Sequence, residues 1–436
     1  MIYNGSVMSG IKIQEYYLDR IYIFYYLVLA VVFFAILKPF SSIGMSVRLV
    51  AFCAVFVPVF FRVNLFLPVF IFFVTISTHS FFPILPTQYY FYLILFAFVL
   101  CLSKKFETGN WMLFLIPLYC ILNDFFHSTF PSWIEWILLI YFLSFIICDE
   151  KDLNNIAFAF MLVSIFLSLL YIVNFSAFEI VNHVVEEDED YSTSGWLNHN
   201  RFDSTLGCGA FMGIATLLGY FHFKKSAINK LMAISAFVLT VIVMILDVSR
   251  GSIISLFSAV AFLVLFSKNN PKVKLFIIIT LVVLLGVAVA VGATDYAQSR
   301  FTDSGMATAG KRSLIWTRKI TLFLADADFV KIIFGLGRDG CLNLGGFRST
   351  HNDWFTAFIA FGVVGVFCYL MLYLSPVFKY GLKNYMLMAV LIFLFLESMV
   401  LEPFFRGNAQ MVLMYIFAVK YAAFMKKKKV TLLKYE

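Results

Sequence analysis

The chain has 436 residues, of which 62% are hydrophobic and 19% aromatic, whereas only 13% are charged. This composition excludes a soluble enzyme, whose surface needs about 25% charged residues, and a disordered chain, which is poor in apolar residues. The mean hydropathy of +0.91 agrees, so we expect a protein that crosses a membrane many times. The formal net charge of +8 then indicates orientation in the membrane, and no binding of nucleic acid is expected.

Fourteen apolar windows predict membrane helices, each of which needs about 20 residues. Two of the early windows are short and could be re-entrant, so we expect twelve to fourteen spans in an all-α polytopic membrane protein. The first window has no small-residue cleavage site behind it, and we expect it to stay as a span. The windows lie at 21–38, 44–61, 64–79, 88–103, 111–124, 132–147, 155–175, 205–222, 229–248, 250–266, 273–292, 354–374, 384–400 and 408–424.

Most of the lysines fall on alternate connections between these windows, which places this set on one side of the membrane. The positive-inside rule predicts that this side, with both termini, is cytoplasmic. The residues that fix the orientation are Lys104, Lys105, Lys151, Lys224, Lys225, Lys230, Lys268, Lys272, Lys274, Lys379, Lys383 and Lys426–Lys429.

Five segments follow from this topology. Two long loops, at 176–204 and 293–353, are predicted on the outer side. The first loop carries the acidic run Glu186–Asp190, which is typical of a solvated, mobile loop. The segments are the N-terminal membrane helices at 1–175, an acidic outer loop at 176–204, central membrane helices at 205–292 with an outer hairpin at 247–252, a large outer loop with site residues at 293–353, and C-terminal membrane helices with a basic tail at 354–436.

Arginine is distributed differently from lysine, because nine of eleven arginines but only four of 22 lysines fall on the outer side. Arginine suits the bidentate recognition of phosphate and carboxylate groups. The bias predicts a phosphate-bearing ligand at the outer face, although salt bridges to acids of the second loop would also use some of these residues. The outer arginines are Arg48, Arg201, Arg250, Arg300, Arg312, Arg318, Arg338, Arg348 and Arg406.

Two short outer stretches precede apolar windows and carry arginine. Arg201 lies in the stretch 196–202, which predicts either an interfacial anchor by Trp196 with a helix start, or a ligand contact. Arg250 lies in the hairpin 247–252, where it could pair with Asp247. Because a charge at membrane depth is costly and usually functional, we favour a functional role for Arg250.

The large outer loop carries two further patterns. On a helix, Arg312 and Trp316 would share one face, and the glycines of 335–340 would permit a backbone bend close to a ligand. Asp326 and Asp328 match an Asp-x-Asp pattern with which many glycosyltransferases hold a metal. No histidine or third acid is adjacent, so we interpret this pair as a solvated turn and expect no metal.

The stretch 348–355 runs directly into an apolar window. Thr350 and Asp353 predict a capping pair at the helix start, which would place His351 at the helix mouth on the outer surface. A lone histidine is often structural, but one beside arginines suits general base work near neutral pH.

The order of these motifs resembles the superfamily of O-antigen polymerases and O-antigen ligases, over about residues 196–370. The motifs that carry the resemblance are an Asn-rich segment with arginine at 197–201, the hairpin Ser249-Arg250-Gly251, the loop motifs Arg312-x-x-x-Trp316 and Gly335-Leu-Gly337, and His351-Asn352 before a span with Gly362-x-x-Gly365. The chain departs from the family in having Asn-His-Asn-Arg where members often have a Pro-Asn pair.

The resemblance implies a bacterial inner-membrane glycosyltransferase with the C-type fold, without cofactor or metal. Such an enzyme moves glycan from undecaprenyl pyrophosphate to a hydroxyl at the periplasmic face, and its partners are lipid-linked repeat units, membrane lipid and a membrane protein that regulates chain length. By motif, the catalytic residues correspond to Arg250, Arg312 and His351. The further substrate-binding residues expected on this basis are Arg201, Arg348, Asn352, Arg300 and Trp316.

Three functions stay open from the sequence. We favour a polymerase, which joins one lipid-linked repeat unit to another, over a ligase, which delivers glycan to the lipid A core. A flippase or other transporter of lipid-linked sugar is a more distant alternative. Transporters tend to carry internal repeats and midplane charges, whereas here only Glu397 and Lys420 lie in or near late spans, where they are expected to serve helix packing.

Overall fold

A computed structural model gives the fold and describes residues 115–127, 149–173, 199–221, 227–246, 250–267, 271–290, 312–346, 350–400, 404–405 and 409–433. Over these ranges the chain is helical and contains no strand, which confirms the all-α prediction. The predicted windows at 21–38, 44–61, 64–79, 88–103 and 132–147 lie outside the described residues.

The described ranges contain twelve α-helices, which are numbered in chain order. They are α1 (Leu115–Phe126), α2 (Glu150–Val173), α3 (His199–Leu217), α4 (Ala227–Leu246), α5 (Arg250–Phe266), α6 (Pro271–Ala290), α7 (Arg312–Asp326), α8 (Phe329–Phe334), α9 (Gly337–Asn343), α10 (Asp353–Tyr380), α11 (Tyr385–Val400) and α12 (Ala409–Leu433).

Nine of these helices occupy predicted apolar windows, and α7, α8 and α9 form an ordered part of the large loop. Two boundaries differ from the prediction. Helix α3 begins at His199, inside the segment predicted as acidic loop, and α12 continues to Leu433, so that Lys426–Lys429 are helical. Residues 247–249 of the predicted hairpin lie outside the described residues, and α5 begins at Arg250.

Within the described ranges, two helices are long and apolar enough to cross a membrane, judged by length and composition. They are α2, with 24 residues, and α10, with 28 residues. Shorter apolar stretches lie in α3, α4, α5 and α11. The larger number of spans remains a prediction.

Helix α3 lies at the centre of the bundle and packs against α2, α4, α5 and α12. Small residues let the neighbouring backbones approach, as is common between membrane helices. A Cβ added to Gly209 would overlap Ser164 of α2, and one added to Gly213 would lie 2.6 Å from the carbonyl oxygen of Ala233 in α4.

Three of the lysines used to predict the cytoplasmic side, Lys379, Lys426 and Lys428, lie at one end of the bundle. Lys428 Nζ lies 3.6 Å from Glu150 Oε2 at the start of α2, and Lys426 Nζ donates to the carbonyl of Lys379 near the end of α10. The opposite end, where α3, α5 and α10 begin and α11 ends, is called the arginine end because Arg201 and Arg250 lie there in first helical turns.

Helix α10 is kinked at Gly362, which has φ +67° and ψ −165°. The segment after α8 enters the kink, where the backbone N–H of Leu336 donates to the carbonyl of Ile359 at 2.9 Å. A Cβ on Gly335 would overlap the backbone of Ala360, and one on Gly362 would overlap the backbone of Ile333. These glycines therefore allow two backbones to touch.

Helix α1 closes this junction from the other side. Tyr119 Oη donates to the carbonyl of Phe361 at 2.9 Å, and Asn123 Nδ2 donates to the carbonyl of Phe334 at 2.7 Å. A Cβ on Gly337 would lie 2.8 Å from the ring of His127. In the structure, then, Gly335 and Gly337 pack against protein, whereas the sequence predicted a bend close to a ligand.

Candidate active site at the arginine end

The last turn of α11, Glu397–Val400, contacts two helices that begin with arginine. Ser204 Oγ in the first turns of α3 donates to Glu397 Oε2 at 3.1 Å. A Cβ added to Gly251 of α5 would lie 2.6 Å from Val400 Cγ2, so α5 meets α11 with almost no space between them. The two helix starts are thereby held on one turn.

The same turn also holds the start of α10. Trp354 Nε1 donates to Ser398 Oγ at 2.9 Å, and Asn352 Nδ2 donates to the carbonyl of Met399 at 2.9 Å. The four consecutive residues of this turn therefore contact three helix starts, those of α3, α5 and α10.

His351 lies between two buried neighbours and adopts φ +50°, and it is the one residue other than glycine with a positive φ within the described ranges. Thr350 is 1% exposed and Asn352 is 4% exposed, whereas His351 itself is partly exposed. A left-handed conformation is uncommon for residues other than glycine, although histidine adopts it more readily than most, and it often marks functional sites. His351 thus lies in a constrained backbone conformation between two buried residues.

Thr350 is fixed by bonds at both its carbonyl and its hydroxyl. Its carbonyl accepts from Trp316 Nε1 at 2.6 Å, and its Oγ1 bonds to the carbonyl of Asn352 at 2.7 Å and to Thr356 Oγ1 at 2.6 Å. The ring of Trp316 also packs on Phe355, with 5.4 Å between ring centroids. Helix α7 is therefore tied directly to the residue before His351.

The helix start at α10 differs from the predicted capping pair. Asn352 is the N-cap, and its Oδ1 accepts from the backbone N–H groups of Trp354 and Phe355. Thr350 and Asp353 do not form the cap, so that prediction was wrong. Asparagine satisfies otherwise unpaired N–H groups of a first turn as well as serine or threonine does. Both ends of the Asn352 amide are engaged, while its predicted contact with substrate stays a prediction.

Asp353 is fully buried and joins α10 to the turn between α11 and α12. Its Oδ2 accepts from Tyr369 Oη at 2.7 Å and from the backbone N–H of Phe404 at 3.1 Å. Its Oδ1 accepts from the backbone N–H of Phe405 at 3.3 Å. Because three donors surround the carboxylate, Asp353 is held away from any ligand and serves to fix the first turn of α10.

The predicted arginines lie as follows. Arg201 is in the first turn of α3, three residues before Ser204, and Arg250 is the first residue of α5, next to Gly251. Arg312 is the first residue of α7, one turn before Trp316, as the sequence predicted. Arg300 and Arg348 lie outside the described residues.

The chain thus brings the positions of Arg201, Arg250 and His351 to one turn of α11, and Trp316 adds the helix that begins with Arg312. Helix N-termini carry partial positive charge, which suits a phosphate-bearing ligand. The arrangement can bind an anion and place a histidine beside it.

The Asp326-Ala-Asp328 pair lies at the surface between α7 and α8. Asp326 Oδ2 is 3.3 Å from Lys331 Nζ, and Asp328 caps α8 by accepting from the backbone N–H of Lys331. The pair forms the exposed turn that the sequence predicted. Among the residues that the structure describes, no group of three or more histidine, cysteine or acidic side chains is arranged to hold a metal.

Sequence reasoning missed two anchors of the site. Lys319 is fully buried, and its Nζ donates to the carbonyl of Cys341 at 2.6 Å, which joins α7 to the end of α9. Glu397 was expected to serve helix packing, and its position on the last turn of α11 was not foreseen. The only signal in the sequence was an ionisable residue inside an apolar window.

No protein-family model matches the chain, and the search of curated proteins finds no matching relative.

Proposed function

We propose that this chain is an O-antigen polymerase, an inner-membrane glycosyltransferase that acts at the periplasmic face without a metal. It transfers glycan from undecaprenyl pyrophosphate to a hydroxyl of another lipid-linked repeat unit. The observation that carries the proposal is the gathering of the helix starts with Arg201, Arg250 and His351 on Glu397–Val400.

The arginines act on the leaving group. When the glycosyl bond breaks, the departing diphosphate gains negative charge, and fixed guanidinium groups stabilise that charge more in the transition state than in the ground state. Arg250 and Arg312 are proposed for this role, with Arg201, Arg300 and Arg348 as further contacts. Three of these five residues, Arg201, Arg250 and Arg312, lie in the first turns of helices, so the partial positive charges of the helix N-termini support the same interaction.

His351 acts on the acceptor. A sugar hydroxyl is a weak nucleophile until a base takes its proton, and a positioned histidine contributes about 10²–10⁴ in rate. The two fixed neighbours, Thr350 and Asn352, define where the imidazole stands. Trp316 is proposed to contact the sugar as well as to hold Thr350.

The membrane location is supported by apolar side chains on the surface of the described helices. Helix α6 is an example, because from Leu275 to Val283 its exposed residues are apolar, as a lipid-facing surface requires. These residues are Leu275, Phe276, Ile278, Ile279, Val282 and Val283. The lysines at the opposite end of the bundle from the arginines support an outer position for the arginine end.

The test is reconstitution of the purified protein in lipid with an undecaprenyl-pyrophosphate-linked repeat unit as the sole sugar substrate. A ladder of products, absent with the Arg250→Ala protein, is expected. In a second reaction that also contains lipid A core, transfer of glycan to the core without a ladder would identify a ligase. Movement of the lipid-linked sugar across the bilayer without any new glycosidic bond would identify a transporter and would contradict the proposal.

A further inference from the structure

We propose that Glu397 is a positioning residue of this site: through Ser204 it fixes the first turn of α3 and so sets where Arg201 stands relative to His351. This inference rests on the proposed function, because it assigns a role within the same site.

Glu397 is fully buried in a helix whose other residues are almost all apolar. A carboxyl group removed from water is costly unless hydrogen bonds or charges compensate it. Ionisable residues inside membrane helices are therefore functional candidates by default. A residue that served packing alone could be leucine, as at Leu394 one turn earlier.

The contacts of α11 along α3 change character at Glu397. One turn further into the bundle, the two helices meet through apolar groups, because a Cβ on Gly207 would lie 2.9 Å from the Phe393 ring, and Phe393 stacks on Phe211 with 6.5 Å between centroids. The bond from Ser204 to Glu397 lies one turn nearer the start of α3 than these apolar contacts. It is directional, whereas the apolar contacts permit sliding.

The position of Arg201 depends on this bond, because Arg201 lies in the helical turn that the bond anchors. Arg201 lies in the first turn of α3, three residues before Ser204. Without the bond, this turn loses a directional anchor to α11, and the apolar contact at Gly207 lies one turn further along the helix. A helix end without anchors frays, and a displacement of about 1 Å can lower a rate by about 10²-fold.

The test measures turnover of the lipid-linked repeat unit and, separately, binding of undecaprenyl diphosphate by calorimetry, for the full chain in detergent. We expect Glu397→Ala to lower kcat by about 10- to 100-fold and Glu397→Gln to keep most of the rate, since the amide oxygen still accepts from Ser204. The Glu397→Ala/Arg201→Ala protein should be no worse than Arg201→Ala, because both changes remove the same contact.

Cys208→Ala is the matched control, because Cys208 is equally buried in α3, one turn beyond Ser204, and contacts Met411. It should leave turnover and binding unchanged.

Each of the other outcomes would contradict either the positioning role of Glu397 or the proposed reaction. If the losses of kcat multiplied in the Glu397→Ala/Arg201→Ala protein, the positioning role would be wrong and the proposed reaction would be unaffected. An equal loss in Glu397→Gln and Glu397→Ala would show that the ionisable group itself is needed, as in a proton relay, and would overturn the role too. The wild-type protein could form no polymer while the single and double variants lower diphosphate binding with the expected non-additivity. In that case the positioning role stands and the proposed reaction fails. If it neither polymerises nor binds, both fail.

Discussion

The indole Nε1 of Trp316 donates to the carbonyl oxygen of Thr350 at 2.6 Å, which joins α7 to the residue before His351. The bond spans 34 residues of sequence. It means that the position of His351 depends on two helices, α7 and α10, and that a change in α7 should reach the histidine through the backbone.

Trp316→Phe tests this dependence. Phenylalanine keeps a ring against Phe355 and removes the N–H donor, so the carbonyl of Thr350 loses its partner. We expect kcat to fall by about 10-fold or more, with a loss of about 1–3 kcal/mol in the free energy of unfolding. Turnover at the wild-type rate in reconstituted protein would show that Thr350 does not need the bond.

The His351→Asn variant separates the role of the imidazole as a base from the role of the left-handed backbone conformation. Asparagine is one of the few residues that adopts a left-handed conformation readily, so the turn at φ +50° should persist and the thermal midpoint should stay near that of the wild type. The rate should fall by about 10²–10⁴, because the amide cannot accept the hydroxyl proton. A His351→Asn protein with full activity would remove the base assignment.

The sequence predicted the helices well and the contacts between them poorly. Apolar windows place nine helices because membrane-length hydrophobic runs have few other solutions. Glu397 and Asp353 could not be assigned from the sequence, since their roles depend on Ser204 and Phe404, which are distant in the chain. Asn352 was expected to contact substrate, and its capping role follows from which residue begins α10, a choice that local patterns do not decide within one or two positions.

The glycines of the outer loop show a similar limit. Gly335 and Gly337 resembled a ligand-approach motif, and the structure places them against α10 and His127. A glycine indicates that another group approaches the backbone closely, but the sequence alone does not say whether that group is a ligand or another segment of backbone.

Gly362→Ala should be among the most damaging single changes outside the site. Its φ of +67° is unfavourable for alanine, and the added Cβ would overlap the backbone of Ile333. We expect a loss of more than about 2 kcal/mol in the free energy of unfolding. The measurement is thermal unfolding in detergent, followed by the loss of folded protein in size-exclusion chromatography.

Two controls separate the causes at Gly362. Gly381 also has a positive φ, of +82°, but nothing lies within 4 Å of an added Cβ, so Gly381→Ala reports backbone strain alone. Gly286 lies inside α6 with open space around it, so Gly286→Ala should be neutral or stabilising by up to about 1 kcal/mol. Equal effects at Gly362 and Gly381 would contradict the close contact of α8 with α10.

Asp353→Asn tests the buried carboxylate at the start of α10. The amide presents donors where Tyr369 and two backbone N–H groups already donate, so at least one donor loses its acceptor. We expect a loss of about 1–3 kcal/mol in stability. Tyr369→Phe removes one donor and should partly compensate in the double variant, so the double-variant cycle should give less than the sum of the single losses. Additive losses would show that the two groups act independently.

Lys319→Met removes a buried ammonium group and keeps a side chain of similar length. The carbonyl of Cys341 loses its donor, and with it the bond between α7 and α9, so we expect α7 to lose its position and turnover to fall along with stability by about 1–3 kcal/mol. Lys331→Met in the neighbouring α8 is the control, because Lys331 pairs with Asp326 at the surface and such pairs contribute about 0–1 kcal/mol. If both variants lost the same stability, the buried bond of Lys319 would contribute no more to the fold than the surface pair of Lys331.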